Sequence, residues 1–121
     1  MDKTKVIDFI KLYKIGSVLN TPYGKAQSAK VWQQIQKTIQ EEAQNHIENK
    51  IPIIFGIDSI HGANYIREGT LMPQPLAMAS SFNIDIAREV GAITAMETKA
   101  VGIPWNFNPV FDQGRDPIWP R

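Results

Sequence analysis

Cysteine is absent from all 121 residues. Disulfides, thiolate metal sites and thiol nucleophiles are therefore excluded, while the compartment stays open. A dominant charge is missing as well: 13 Lys and Arg stand against 12 Asp and Glu, and the formal net charge of +1 is spread without blocks. That balance offers no electrostatic footprint for nucleic acid or an anionic membrane, and neither partner is expected. No stretch approaches the roughly 18 apolar residues of a membrane span. The opening "MDKTKVIDFIKLYK" lacks the continuous apolar segment of a signal peptide. A soluble chain without an export address is expected, with periplasmic or secreted locations left open for any longer parent. Histidine is scarce, His46 and His61 lying fifteen positions apart, and that spacing does not suit a histidine metal site. Glycine-rich phosphate loops do not occur, and Ser59 has no glycine two positions after it as a nucleophile elbow needs. No metal and no cofactor are expected.

What is present is globular usage, 43% hydrophobic and 21% charged. A chain of this length buries roughly two thirds of the surface it would expose unfolded. Residues 4–13 place Val6, Phe9, Ile10 and Tyr13 at helical spacing. "KIGSVLN" reads as a buried strand closed by a turn at Asn20, Thr21, Pro22 and Gly24. Residues 25–49 carry Trp32, Ile35, Ile39, Ala43 and Ile47 as one apolar stripe, the clearest helix in the chain. "IPIIFGID" is nearly continuously apolar, as a strand covered on both faces requires. Residues 59–75 form a long connection rich in Gly, Pro, Asn and Ser, and long loops in compact domains are disproportionately functional. A further helix is expected over 84–101, with Asn83 as its N-cap, Ile86, Val90, Ile93 and Ala100 on its apolar side, and Gly102 ending it in the left-handed conformation. "IPWNFNPVF" reads as a third strand, interrupted by prolines.

Strand and helix alternate as in a parallel α/β sheet. An open doubly wound sheet and an arc of a (β/α)8 barrel both fit, and both bind ligands at the carboxyl ends of their strands. Asp58 ends the run "IPIIFGID". It can present its carboxylate to a ligand at that edge or simply cap the following turn. His61 is more often a structural histidine than a proton shuttle. The final "FDQGRDPIWPR" holds Asp112, Arg115, Asp116 and Arg121. Such charges often form only a solvated cluster, yet an Arg fixed by a carboxylate presents its other donors rigidly to hydroxyl-rich or anionic ligands. Asp58 beside such an Arg would suit sugar hydroxyls. Trp105 and Trp119 could offer a ring a flat apolar face, with Trp105 expected in the core.

The segments "IPIIFGIDSIHGANYIREGTLMPQPLAMASSFN" and "AREVGAITAMETKAVGIPWNFNPVFDQGRDPIWPR" closely resemble the N-terminal domain of glycoside hydrolase family 3. With "YKIGSVLNTP" the resemblance covers nearly the whole chain from about Tyr13. It implies an α/β fold, a partial (β/α)8 TIM-type barrel comprising roughly its first half, so that residues 1–121 would be an incomplete N-terminal barrel domain. It also implies retaining, exo-acting hydrolysis of terminal β-linked glucosyl residues, with a β-glucoside or oligosaccharide as substrate. By position Asp58 resembles the residue that holds hydroxyls of the terminal sugar, and Arg115 resembles its partner in that subsite. His61, Asp116 and Arg121 are carried over as supporting residues. Many members read Arg-Trp-Gly-Arg where residues 118–121 are "IWPR", a departure confined to the local loop.

Retaining glycosidases need two carboxyl groups about 5 Å apart. In the family these come from a later strand and from further sequence, and neither matches a residue here. A whole barrel takes roughly 250 residues. The expectation is an N-terminal fragment that supplies part of the sugar subsite, is inactive alone, and has the remainder of the parent enzyme as its partner. Two alternatives stand beside it: a non-catalytic carbohydrate-binding α/β protein, and a separate α/β enzyme of flavodoxin-like size.

Overall fold

The computed structural model of the protein describes residues 3–21, 23–111 and 114–118. Helix α1 (Lys3–Tyr13) leads into strand β1 (Ser17–Leu19), helix α2 (Ala29–His46) and strand β2 (Ile54–Ile57). Helices α3 (Pro75–Ala79) and α4 (Ile84–Ala100) then precede strand β3 (Trp105–Asn106). The strands form one sheet in the order β1-β2-β3, and both pairings are parallel. Sequential parallel strands joined through helices are what a partial α/β barrel would contain.

Helix α2 begins at Ala29, four residues later than its hydrophobic pattern suggests, because Ser28 caps it, its Oγ accepting from Val31 N at 3.4 Å. A second acceptor, the Glu68 carboxylate, takes Ala29 N at 2.8 Å. The residues ahead of the cap pair instead with the long loop, Gln27 N donating to Tyr65 O at 3.1 Å and Arg67 N to Gln27 O at 2.7 Å. Trp32, Ile35, Ile39 and Ala43 are buried along one side of the helix. They meet Ile53, Phe55 and Ile57 of the β2 segment in a single core with Ile10, Val101 and Ile103. Trp32 stands edge-on to Phe55 with ring centroids 5.8 Å apart. Its indole N–H donates to Tyr65 O at 2.8 Å, so the largest core side chain leaves no polar atom unpaired. The Gln40 carboxamide joins α2 to the start of the central strand, its Nε2 donating to Ile53 O at 2.7 Å and its Oε1 accepting from Ile53 N at 3.1 Å.

Several expectations change. The helices cover one face of the sheet, while the other stays largely open apart from the Phe107 ring over Gly56. Phe55 and Ile57 are buried, whereas Leu19, Ile54 and Trp105, on the other face, are 63%, 50% and 50% exposed. Trp105 is therefore not a core residue; its ring packs edge-on to Phe107 at 4.7 Å. Gly56 leaves room for this pair, since a Cβ there would overlap the Phe107 ring. On α1 the covered residues are Ile10 and Val6, while Phe9 and Tyr13 stack on each other and stay exposed. Helix α4 starts where expected, Asn83 Oδ1 accepting from Asp85 N at 3.0 Å and Ile86 N at 3.2 Å. It ends at Gly102, whose φ is +84°. Its buried residues are Thr94 and Thr98, not its apolar ones; Ile86 and Ala100 are exposed. The reason lies at the sheet edge, where Thr98 Oγ1 donates to the buried Ser59 Oγ at 3.2 Å. The hydroxyl of Thr98 faces the sheet there, while Ala87 and Val90 line a cleft beside α3. That five-residue helix, opened by Pro75, lies beyond the loop the sequence pattern suggested and was not expected.

Strand β3 is shorter than "IPWNFNPVF": Pro104, with no N–H to donate, stands before it, and beyond Asn106 the Ser59 N–H turns to the Asn106 side chain. Replacing Trp32 by Ala should lower unfolding free energy in urea by about 3–5 kcal/mol. Trp32→Phe should cost about 1–2 kcal/mol, because the Tyr65 carbonyl keeps the Gln27 N–H.

Candidate functional site

All strands run the same way, so their carboxyl ends share one edge of the sheet. Three connections gather there, residues 20–28 after β1, 58–74 after β2 and the segment after β3. Asn20 N ties the first of them to Gly56 O at 3.0 Å.

Asp58 follows the last residue of β2 and is partly exposed. Ile57 and Ser59 on either side of it are each 1% exposed, held on the helix-covered face. Strand alternation turns Asp58 the other way, to the open face that carries Ile54 and Gly56. Among the described residues its carboxylate takes part in no hydrogen bond or ion pair, and none of its oxygens caps the turn behind it. An acceptor-only group with its lone pairs uncommitted at a strand end can receive donors from a ligand.

His61 lies three residues on, partly exposed. Its backbone carbonyl accepts from Met72 N at 2.9 Å, while its imidazole has no hydrogen bond among the described residues. Arg115 and Asp116 lie beyond β3 and are exposed. Asp116 Oδ1 accepts from Ile118 N at 2.9 Å, a local turn that shapes the Gly114–Ile118 stretch. Arg115 makes no hydrogen bond or ion pair to Asp58 or His61. Arg121, Asp112 and Trp119 lie outside the described residues.

Other residues fix this edge without having stood out in the sequence. Glu97 of α4 accepts from Thr70 N at 2.8 Å and Thr70 Oγ1 at 2.7 Å. Together with Glu68 at the start of α2 it ties the long loop to two helices. The Asn106 carboxamide holds Ser59, accepting from its N–H at 3.0 Å and donating to its carbonyl at 3.3 Å. The available signals were weak: a polar residue inside the apolar "PWNF" and a glutamate on a helix face. A cleft of about 250 Å³ lies between the first two connections, lined by Thr21, Tyr23, Lys25, Asn64 and Tyr65 among others. An apolar cleft of about 380 Å³ lies between Ile60, Pro75, Met78, Val90, Asn108 and Pro109. Among the described residues, no group of three or more His, Cys, Asp or Glu could hold a metal ion. Among the described residues, no helix is long and apolar enough to cross a membrane.

The whole chain, residues 1–121, matches the model of the glycosyl hydrolase family 3 N terminal domain. It belongs to glycoside hydrolase family 3. It is 40% identical over 128 aligned positions to the lysosomal beta glucosidase of Dictyostelium discoideum, an alignment that covers all of this chain and 16% of that protein. It is 32% identical over 119 positions to the periplasmic beta-glucosidase of Salmonella typhimurium, covering 98% of this chain and 14% of that protein. The chain thus spans about a sixth or less of the length of these curated relatives.

Removing the Glu97 carboxylate should loosen the loop locally. Glu97→Ala is expected to speed amide exchange at Thr70 well beyond any change at Phe55, and to cost about 1 kcal/mol of stability. Unchanged exchange at Thr70 would show that the clamp carries no energy.

Proposed function

We propose that the chain is the first part of the barrel domain of a retaining, exo-acting β-glucosidase, in which Asp58 and Arg115 bind the terminal sugar. The carrying observation is the Asp58 carboxylate, uncommitted at the carboxyl edge of a parallel sheet and turned to its open face, in a chain belonging to glycoside hydrolase family 3. Both relatives described above bear the name beta-glucosidase. A carboxylate accepts from sugar hydroxyls, and an arginine fork donates to the same hydroxyls in fixed geometry. His61 borders the subsite from the loop after β2, Asp116 shapes the loop that carries Arg115, and Arg121 stays a supporting residue on the family resemblance alone.

The sheet supports a (β/α)8-type barrel as the complete architecture. Its helices cover one face, and its other face presents Leu19, Ile54 and Trp105 half open or more. In a barrel that second face turns inward and is filled by side chains from strands across the axis. The small share of the relatives that the chain spans supports placing the nucleophile and the acid/base elsewhere in the full-length enzyme. No pair of carboxyl groups in the chain takes on those roles in this reading.

The test uses an aryl β-glucoside. The full-length enzyme should hydrolyse it with retention of configuration, and the 121-residue chain alone should give no turnover. In the full-length enzyme Asp58→Ala and Arg115→Ala should each lower kcat/KM roughly 10²-fold, the loss expected for one or two charge-assisted hydrogen bonds to substrate. Robust hydrolysis by the 121-residue chain would place the chemistry inside it and overturn this division of labour.

A further inference from the structure

The last rung of the β2–β3 ladder is made by a side chain. Gly56 pairs with Trp105 and Ile57 with Asn106, and Phe107 N donates to Ile57 O at 3.0 Å. A regular parallel ladder would next take the Ser59 N–H to the Phe107 carbonyl. Ser59 N instead donates to Asn106 Oδ1 at 3.0 Å, and Asn106 Nδ2 returns a bond to Ser59 O at 3.3 Å. The carboxamide stands in for a peptide unit, supplying acceptor and donor together. The Ser59 hydroxyl is held from the same side by Thr98 of α4 at 3.2 Å.

Asp58 is the residue between these fixed points. On its amino side Ile57 is buried and in the ladder; on its carboxyl side Ser59 is buried and held through N–H, carbonyl and hydroxyl. Both anchors lie on the helix-covered face. The residue between them is left only the open face for its side chain, and its backbone cannot rotate without breaking bonds on one side or the other. Its own carboxylate contributes nothing to this and stays uncommitted among the described residues.

We infer that Asn106 is the positioning residue for Asp58, holding the strand end so that the carboxylate meets the sugar at a fixed place; this rests on the reading of Asp58 as a sugar ligand. Asn106 touches no substrate in this role. It acts by removing freedom from the Ile57–Ser59 backbone before substrate arrives, which lowers the ordering cost of binding.

The test is a double-mutant cycle in the full-length enzyme, read as KM and kcat on an aryl β-glucoside alongside thermal midpoints. Asn106→Ala should raise KM roughly tenfold in the parent, corresponding to loss of a single well-placed hydrogen-bonding group. In an Asp58→Ala background the same change should raise KM less than about twofold, because the group it positions is gone. Asn106→Asp keeps size and the acceptor while losing the donor, and should give the same pattern if the Ala variant does not fold. Equal losses in both backgrounds, with only the thermal midpoint explaining them, would make Asn106 a structural residue and overturn the inference alone. An Asp58→Ala enzyme with unchanged kcat/KM would overturn the sugar-ligand reading and the inference with it.

Discussion

The contact on which the rest depends is the indole of Trp32. Its edge meets Phe55 of the central strand, its body lies fully buried in the core, and its N–H reaches the Tyr65 carbonyl in the long loop. One side chain thereby joins helix α2, the sheet and the connection that follows β2. The loop also puts Ala63 and Ile66 into that core, and bonds to Gln27 just before α2 and to Ala29 N through Glu68. The carboxyl edge of the sheet therefore takes its shape from the core beneath it.

Polar side chains then finish what the short strands cannot. Strand β2 is only four residues long, and carboxamides extend its bonding at both ends, Gln40 against Ile53 and Asn106 against Ser59. Each satisfies a backbone donor and a backbone acceptor that burial would otherwise leave orphaned. Glu68 and Glu97 accept from the backbone N–H groups of Ala29 and Thr70 at the surface. The architecture is α/β, but much of its local precision is carried by amides and carboxylates.

That division explains what could be read beforehand. The α2 stripe from Trp32 to Ala43 was legible because it is a core face at helical period, and Asn83 and Gly102 because capping chemistry is local. Asp58 was legible as a strand-end acid once parallel strands were expected. The buried face of α4 was not, since Thr98 looks like a surface residue until the Ser59 hydroxyl is placed opposite, and Thr94 is buried with no partner for its hydroxyl among the described residues. Trp105, Phe9 and Tyr13 misled for the converse reason: large apolar residues imply a full cover, and these meet only part of one, staying half exposed or more. Asn106 and Glu97 act through groups distant in sequence, a kind of pairing that no periodicity encodes. The family was the most legible feature, because "GIDSIHG" and "GRDPIWPR" are words rather than patterns.

The loop after β2 is bonded at Tyr65, Arg67, Thr70 and Met72 to α2, to the segment before it, to α4 and to its own beginning. A connection stitched at such short intervals is a wall and cannot swing as a lid. On the reading proposed for Asp58, a sugar would then exchange by diffusion past a standing surface, its residence time set by the contacts it makes and not by an opening rate.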